Sequence, residues 1–437
     1  MPKGFVYILE CHDGTFYTGS TIDLEKRVSE HQEGKGANHT KKRLPVTLVY
    51  YQEFQRIDDA FYREKQIQGW NRNKKEALIK GNYNSLPKLS IAYRDKEVSS
   101  SSASNKKTTS IVSGALEDSK RRTLYSNGKL LLTGEYVVLD GAEALALPTK
   151  YGQSLTIEII DEPKLIWQSF DDKGNIWYED QFIITNNEIQ KQGFDKLNMT
   201  ELDNSQMSKR LIQILNAAKQ LNPLFLNNDT GFHIKTKLDF PKNWGLGTSS
   251  TLINNIANWA DVDAYKLLDL TFGGSGYDIA CTKHDTAITY KLEKPFDYVQ
   301  DDMRVVKKVD FNPEFRDNLY FVYLNKKQNS REGIAHYKAN TINNTIISEI
   351  TDITLKLIKS NNLNDFESLI NLHEEIISKT IKQKPVKNIL FKDFKGSIKS
   401  LGAWGGDFVL ATSVNNPTLY FETKGFKTVI PYTDMIL

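Results

Sequence analysis

The spacing of apolar and polar residues divides the chain into two patterned regions. In the first region, short runs of aromatic and β-branched residues alternate with helical patterns, which is typical of a small α/β module. Asp13-Gly14 marks a turn between the first two strands, and Asp23 is suited to cap the first helix. The predicted elements are strands at Phe5–Leu9, Thr15–Thr18 and Leu48–Phe54, a helix from Asp23 toward Gly34, and a helix from Asp58 or Asp59 to about Gly69.

The second region begins at about Thr123 and mixes strands with longer amphipathic helices. This mixture, without a short internal repeat, predicts an α+β architecture. The predicted elements are strands at Lys129–Leu132, Tyr136–Leu139 and Ser154–Ile160, and helices at about Ser205–Leu221, Ser249–Ala260, Thr341–Ser360 and Phe366–Ile381.

A polar stretch separates the two regions. Residues 98–113 include a run of four serines and a Lys-Lys-Thr-Thr run, and such a composition cannot bury enough apolar area to order itself. We therefore expect a first module at residues 1–82, a flexible Ser/Lys-rich linker at 83–120 and a second module at 121–437.

Composition narrows the class of protein. The 437 residues are 39% hydrophobic and 25% charged, which suits a globular protein with a packed core. No apolar run approaches the roughly 18 residues that span a bilayer, so no membrane association is expected. Cys11 and Cys281 are the only cysteines, which fits a reducing cytoplasm. Residues 1–96 carry 17 Lys/Arg and 12 Asp/Glu although the whole chain is only +3, so the first module is basic enough to meet a polyanion.

Five side chains of the first module suit the cleavage of a phosphodiester. Arg27 offers a permanently charged fork to a phosphate, and His31 shares its helix face because the two are four residues apart. A Mg²⁺ ion held by Glu64 can stabilise the leaving alkoxide. Tyr7 or Tyr17, with help from His31, can relay the proton of the attacking water. The alternative is that the tyrosines pack in the core and the charged groups belong to solvated helix faces.

The order of these residues resembles the GIY-YIG endonuclease family, in particular its small single-domain bacterial branch. The similarity covers roughly residues 4–78 and includes Val6-Tyr7-Ile8, Tyr17-Thr18-Gly19 and the spacing of Asp23, Leu24, Arg27 and His31. Val6 and Thr18 depart from the family motifs. The resemblance implies a Mg²⁺-dependent nuclease with DNA as its candidate partner, although a binding module can keep the same scaffold.

Three glycine-bearing segments lie in the second module. They are WGLGTSS at 244–250, GGSGYDIA at 273–280 and LGAWGGD at 401–407, and GKLLLTGEY at 128–136 precedes them. Glycines allow backbone to approach phosphate oxygens, and a helix that starts after 247 points N–H groups at an anion. The alternative for any one segment is an ordinary glycine-rich turn with a Ser/Thr helix cap.

Together these segments resemble the GHMP kinase superfamily, closest to its mevalonate and phosphomevalonate kinases and to a bacterial subgroup named after the letters GYDIA. The resemblance implies a ribosomal-protein-S5-like part followed by a ferredoxin-like part. It also implies that Asp278 accepts the proton of the acceptor hydroxyl, that Lys129 lies near the transferring phosphate, and that Ser249 contacts the Mg²⁺ of ATP. The residues expected to line or cover the ATP phosphates are Gly245, Leu246, Gly247, Thr248, Ser249, Ser250, Gly402, Ala403 and Gly405.

Several positions depart from that superfamily. Thr248 replaces a serine, Trp404 replaces a glycine and adds bulk where backbone is expected to approach the substrate, and Tyr136 stands where mevalonate kinases have histidine. The acidic Mg²⁺ ligand of those kinases has no clear match, and Asp269 is a candidate only by proximity.

The sequence therefore predicts an ATP- and Mg²⁺-dependent kinase acting on a small alcohol or phosphate, joined to a nuclease-like module. One alternative is a diphosphomevalonate decarboxylase, which would release CO₂ with ADP. Another is a nucleic-acid-processing factor whose second half only binds nucleotide, and a third is a fusion without mechanistic meaning. The sequence leaves the phosphate acceptor and the oligomeric state open.

Overall fold

The computed structural model divides into two compact units, Met1–Thr109 and Ser110–Leu437. The linker predicted at 83–120 lies outside the described residues. Those residues are 3–54, 56–81, 121–184, 188–191, 201–226, 230–293, 303–328, 333–334, 337–338 and 343–437.

The first unit is a small antiparallel sheet packed against helices. Its elements are β1 Gly4–Cys11, β2 Phe16–Thr21, α1 Leu24–Gln32, α2 Asn38–Lys41, β3 Val46–Phe54, α3 Ile57–Gln68 and α4 Arg72–Ile79. The strand order is β2-β1-β3. The Asp23 carboxylate caps α1 by accepting the N–H of Lys26 at 3.1 Å, as the sequence predicts.

The central strand of this sheet is buried on both faces. Val6 and Ile8 pack on one face with Leu78, whereas Tyr7 and Leu9 contribute to a cluster on the other. Burial on two faces explains why β1 is an uninterrupted apolar run instead of an alternating one. Val6, which replaces a family glycine, is therefore a core residue on the face opposite Tyr7.

The second unit contains two sheets. Its first half comprises β4 Arg121–Leu131, β5 Ala144–Ile160, β6 Lys164–Phe170, β7 Ile176–Ile184, β8 Ile189–Lys191, α5 Glu201–Leu221, β9 Gly231–Leu238, α6 Thr248–Ala260, α7 Ala264–Asp269, α8 Tyr277–Thr282, β10 Ile288–Glu293 and β11 Met303–Lys308. The second half comprises β12 Leu319–Tyr323, α9 Asn344–Ile358, α10 Leu363–Ile381, α11 Val386–Leu390, β13 Ile398–Ser400, β14 Phe408–Thr412, α12 Thr418–Thr423, β15 Val429–Pro431 and α13 Tyr432–Met435.

The larger sheet has the order β11-β10-β5-β9-β6-β7-β8, and β4 pairs with β5. The smaller, antiparallel sheet has the order β13-β14-β12-β15. Since α9 and α10 connect β12 to β13 and α12 connects β14 to β15, this half has the βαββαβ arrangement of ferredoxin-like folds. The predicted α+β class is confirmed. Within the described ranges, no helix is both long and apolar enough to cross a membrane.

One predicted element is wrong. The segment predicted as a strand at Tyr136–Leu139 is a turn that leads into a short 3₁₀ helix, Val137–Asp140. Tyr136 has a φ of 62°, which is incompatible with a strand, and the N–H of Val138 bonds back to the carbonyl of Gly134 at 2.9 Å. The apolar Val-Val-Leu run reflects burial of the turn and not strand pairing.

A buried cluster of charged side chains connects this turn to the smaller sheet. The Lys399 ammonium group lies 2.5 Å from Glu135, and both side chains are fully buried. His373 Nε2 accepts the N–H of Gly134 at 3.0 Å and lies 3.4 Å from Glu135. Glu374 accepts hydrogen bonds from the backbone and hydroxyl of Ser400. The cluster therefore ties the segment after β4 to α10 and to the end of β13.

We expect Lys399→Met to lower the free energy of unfolding of the second unit by about 3–5 kcal/mol, because it leaves Glu135 buried without its cation. Burial raises the pKa of Glu135 from 4.5 to about 7. A carboxyl whose pKa is higher in the folded state contributes less to stability as the pH rises through that range. Removal of Lys399 raises this pKa further, so the loss should be larger at pH 8 than at pH 6.

Urea unfolding followed by tryptophan fluorescence measures this loss, since five of the six tryptophans lie in the second unit. Lys379→Met is the matched control. It removes an exposed helical ion pair with Glu375, and it should cost no more than about 0.5 kcal/mol. Equal losses in the two variants, or a loss independent of pH, would contradict the prediction.

Candidate active sites

The two tyrosines and the histidine of the first unit meet on one face of its sheet. Tyr7 on β1 and His31 on α1 are hydrogen-bonded, with 2.9 Å between the hydroxyl oxygen and Nε2. The Tyr17 ring lies 5.0 Å from the His31 ring and 6.4 Å from the Tyr7 ring. Gly19 lies opposite Tyr7 in the ladder, and a Cβ atom there would be 2.6 Å from the Tyr7 hydroxyl. The glycine of the second motif therefore provides the space in which this hydroxyl lies.

The hydrogen bonds around His31 fix its tautomer. Thr40 donates its hydroxyl hydrogen to the carbonyl of Ala37 at 2.9 Å, so its oxygen accepts from His31 Nδ1 at 2.6 Å. Nε2 is then unprotonated and accepts the Tyr7 hydroxyl. Burial lowers the pKa of His31 to about 4, helped by the charge of Arg27, which keeps the imidazole neutral. Burial also raises the pKa of Tyr7 to about 12, so the proton stays on Tyr7 in the resting state.

Arg27 and Glu64 place opposite charges near the hydroxyl of Tyr17. Burial raises the pKa of Tyr17, with Glu64 reinforcing the rise and Arg27 opposing it, so both charges act on its hydroxyl. The Glu64 carboxylate is oriented by Ser20 at 2.5 Å and by Gln68 at 2.6 Å. An oriented, mostly buried carboxylate fits a Mg²⁺ ion that keeps most of its waters. The described residues contain no cluster of three or more His, Cys, Asp or Glu side chains suited to a metal.

His39 was not predicted as part of this site. Its ring stacks on Tyr17 at 6.2 Å, and its Nε2 lies 3.3 Å from the Thr15 hydroxyl. Arg43 contacts it from the same helix end and pairs with Asp13 at 2.8 Å. No spacing rule connects His39 to β2 in the sequence, so only the tertiary fold reveals it.

In the second unit, all three glycine segments contribute to the wall of one cleft. Gly245, Gly273–Gly276 and Gly402 line it, together with Lys129 and Asp278. Ala403 lines it as well, whereas Leu246, Gly247, Thr248, Ser249, Ser250 and Gly405 do not.

Lys129 is the cation of this cleft. Its Nζ donates to the Tyr277 hydroxyl at 3.0 Å and lies 3.5 Å from Asp278 Oδ1. Burial lowers the pKa of Lys129, but Asp278 and Tyr277 outweigh burial and raise it overall, so the side chain is protonated. The Lys129 backbone N–H bonds to the carbonyl of Leu246 at 3.0 Å. A Cβ atom at Gly247 would come within 3.1 Å of the Lys129 side chain, so the lysine packs directly against the first glycine segment.

The residues predicted around the nucleotide phosphates divide into exposed and buried positions. Ser249 is exposed in the first turn of α6, beside the partly exposed Thr248. Ser250 is buried, and its hydroxyl donates to the carbonyl of Gly247 at 2.9 Å. Leu246 is a core residue, so only its backbone is available at the surface of the loop. An exposed hydroxyl at a helix N-terminus fits a nucleotide-bound Mg²⁺, so Ser249 stays the candidate.

The third segment differs from the sequence expectation. Trp404 is 1% exposed and packs in an apolar cluster with Tyr136 and Tyr337, so its bulk points away from the cleft. Tyr136 lines the cleft and donates its hydroxyl hydrogen to the carbonyl of Ala403 at 2.9 Å. Gly402 has open space where a side chain would be. The segment therefore presents backbone to the cleft despite its tryptophan.

The carboxylate candidate Asp269 lies outside the cleft lining. It pairs with Arg304 at 2.7 Å. Asp407, which ends the third segment, lines the cleft instead. Burial raises its pKa. Asp407 is the last residue of the third glycine segment, and the sequence predicted no chemical role for it.

Comparison with known proteins bears on the first unit. A model of the GIY-YIG catalytic domain matches residues 3–77. A UPF0213 protein of Staphylococcus saprophyticus is 46% identical over 79 residues, which is 18% of this chain and 96% of that protein. A UPF0213 protein of Syntrophus aciditrophicus is 48% identical over 83 residues, 19% of this chain and 95% of that protein. These relatives correspond to the first unit alone.

Solved structures bear on the rest of the chain. The mevalonate kinase of Methanococcus jannaschii aligns with a TM-score of 0.50 and 18% identity, covering 70% of this chain and 95% of that one. The Lin0012 protein of Listeria innocua aligns with a TM-score of 0.53 and 15% identity, covering 71% of this chain and 97% of that one. The chain therefore belongs, through its first unit, to the GIY-YIG family in its UPF0213 branch, and its second unit has the fold of the GHMP kinases.

Proposed function

We propose that the second unit is an ATP-dependent kinase that phosphorylates a small alcohol or phosphate, of the kind that mevalonate and phosphomevalonate kinases use. The observation that carries the proposal is the Lys129–Asp278 pair at 3.5 Å in a cleft walled by three glycine segments. A buried cation beside a carboxylate, next to backbone that can approach phosphate, suits phosphoryl transfer. The fold shared with a mevalonate kinase supports the acceptor class.

The proposed chemistry uses two residues of the cleft. The acceptor oxygen forms a bond to the γ-phosphorus while the bond to the β,γ-bridging oxygen breaks, which releases ADP. Asp278, whose side chain is 40% exposed, accepts the proton from the acceptor hydroxyl. Lys129 exchanges its contact with Asp278 for the transferring phosphoryl oxygens and neutralises their charge. A Mg²⁺ ion, with Ser249 as its candidate hydroxyl ligand, would add charge neutralisation at the phosphates.

We expect Asp278→Asn to reduce phosphoryl transfer by about 10²–10⁴-fold, because the amide cannot accept the acceptor's proton. Nucleotide binding should change little, since Lys129 and the glycine segments remain. ATP consumption measured with mevalonate, its phosphates, homoserine and simple sugars identifies the acceptor and then tests the variant. Asp393→Asn is the matched control, because Asp393 is 60% exposed and pairs with Lys424 away from the cleft. Transfer at the parental rate in Asp278→Asn would exclude this role.

The first unit supports a second activity, Mg²⁺-dependent cleavage of DNA. The specific observation is the hydrogen bond from Tyr7 to the unprotonated Nε2 of a neutral His31. In such a pair the Tyr7 oxygen can take a proton from an attacking water while its own hydroxyl proton passes to His31 Nε2. Arg27 supplies the fixed positive charge for a phosphate, and Glu64 the oriented carboxylate for the metal. The first unit would therefore cleave DNA independently of the kinase reaction in the second unit.

We expect Glu64→Gln to abolish Mg²⁺-dependent nicking of supercoiled plasmid by the full chain, because the amide cannot neutralise the cation. The variant should fold, since the amide can still bond with Ser20 and Gln68. Glu53→Gln, at an exposed pair with Lys3, is the control and should nick normally. Persistent nicking in Glu64→Gln would remove Glu64 from the site, and an intact chain that never nicks would favour a binding module.

A further inference from the structure

The carboxylate of Asp407 is packed against the first glycine segment, residues 244–250. A Cβ atom at Gly245 would be 2.3 Å from its carboxyl carbon, so the absence of a side chain there is what admits the carboxylate. Oδ1 accepts the backbone N–H of Gln328 at 3.2 Å. Within the described part of the chain, Asp407 forms no ion pair at contact distance, although it feels the charges of Lys129 and Lys327.

This placement creates an electrostatic conflict if a nucleotide binds. Gly245 begins the segment that leads into α6, whose N-terminal N–H groups favour an anion. A negative charge packed on the same backbone repels phosphate oxygens, and it does so strongly where little water screens it. A divalent cation between the two anions turns the repulsion into attraction. Mg²⁺ is commonly held by one or two carboxylates together with substrate phosphates.

We propose that Asp407 is the carboxylate ligand of the divalent cation that enters the cleft with the nucleotide. The inference rests on the proposed kinase function and adds a ligand to it. Of the other acidic candidates, Asp278 is assigned to the proton of the acceptor hydroxyl, and Asp269 pairs with Arg304 outside the cleft lining. Asp407 thus supplies the acidic Mg²⁺ ligand for which the sequence offered no clear match.

The burial of Asp407 agrees with this role. Burial raises the pKa of its carboxyl, and the Gln328 N–H and the two lysine charges offset burial only in part. The protein's own groups therefore compensate the ionised form only in part. A bound cation supplies the missing positive charge, so metal and nucleotide should bind cooperatively through this side chain.

Calorimetric titration of the full chain with a non-hydrolysable ATP analogue tests the proposal, once with excess Mg²⁺ and once with EDTA. For the unchanged chain we expect Mg²⁺ to tighten binding about tenfold or more, within the usual range of coupling between two ligands. Asp407→Asn should reduce this effect to about twofold or less. In EDTA the variant should bind the analogue at least as tightly as the parent, because the repulsive charge is gone.

Binding in EDTA also reports that the variant cleft is intact, since asparagine can still accept the Gln328 N–H. Asp269→Asn is the matched control and should keep the full Mg²⁺ effect. A full Mg²⁺ effect in Asp407→Asn, or weaker binding in EDTA, would overturn the assignment, as would an unchanged chain that binds equally under both conditions. If the unchanged chain does not bind the analogue with Mg²⁺ at all, the proposed kinase function itself fails.

Discussion

The cleft of the second unit is organised around one largely buried ammonium group, that of Lys129, whose side chain is 13% exposed. A buried charge is costly unless it is paired and hydrogen-bonded, so Lys129 constrains everything around it. Its Nζ requires Asp278 and Tyr277, which places the start of α8 at the cleft. Its side chain packs on Gly247 and its backbone N–H bonds to Leu246, which places the start of α6 there as well. Satisfying this one cation therefore brings segments more than a hundred residues apart into one wall.

In the first unit, the buried polar group that needs a partner is neutral: it is the hydroxyl of Tyr7. Tyr7 is 1% exposed, so its hydroxyl must find a partner inside the protein, and His31 provides it. Thr40 completes the chain of hydrogen bonds and thereby sets the tautomer that leaves Nε2 free to accept. Gly19 leaves the space that the hydroxyl occupies. The residues that satisfy the packing requirement of Tyr7 are therefore the same ones that the proposed proton relay would use, so the structural and the catalytic interpretation of this tyrosine are compatible.

The sequence predicts correctly those elements that depend on residues close together in the chain, and it fails where contacts between distant residues decide the conformation. The helix capped by Asp23 and the strand around Tyr7 depend on neighbouring residues, and both are confirmed. The strand predicted at Tyr136–Leu139 is wrong because a positive φ at Tyr136, imposed by long-range contacts, overrides the apolar pattern. Asp407 received no predicted role because its place in the cleft lining depends on its contact with Gly245, which lies far away in the chain. Family resemblance identified the fold correctly and singled out Asp278, which lines the cleft, but it did not indicate that Asp407 lines the cleft as well.

The packing of Trp404 stabilises the conformation of the third glycine segment, residues 401–407. A non-glycine residue in the left-handed region costs about 1–2 kcal/mol, and its φ is 51°. Its indole nitrogen is also buried, and it has no hydrogen-bond partner among the residues that the structure describes. Removal of a fully buried large aromatic side chain typically costs about 3–5 kcal/mol, so packing against Tyr136 and Tyr337 outweighs the strain. The buried Lys399–Glu135 pair anchors the same segment two residues before Leu401. Packing of Trp404 within the segment and the ion pair just before it therefore position the backbone of Gly402 and Ala403 at the cleft.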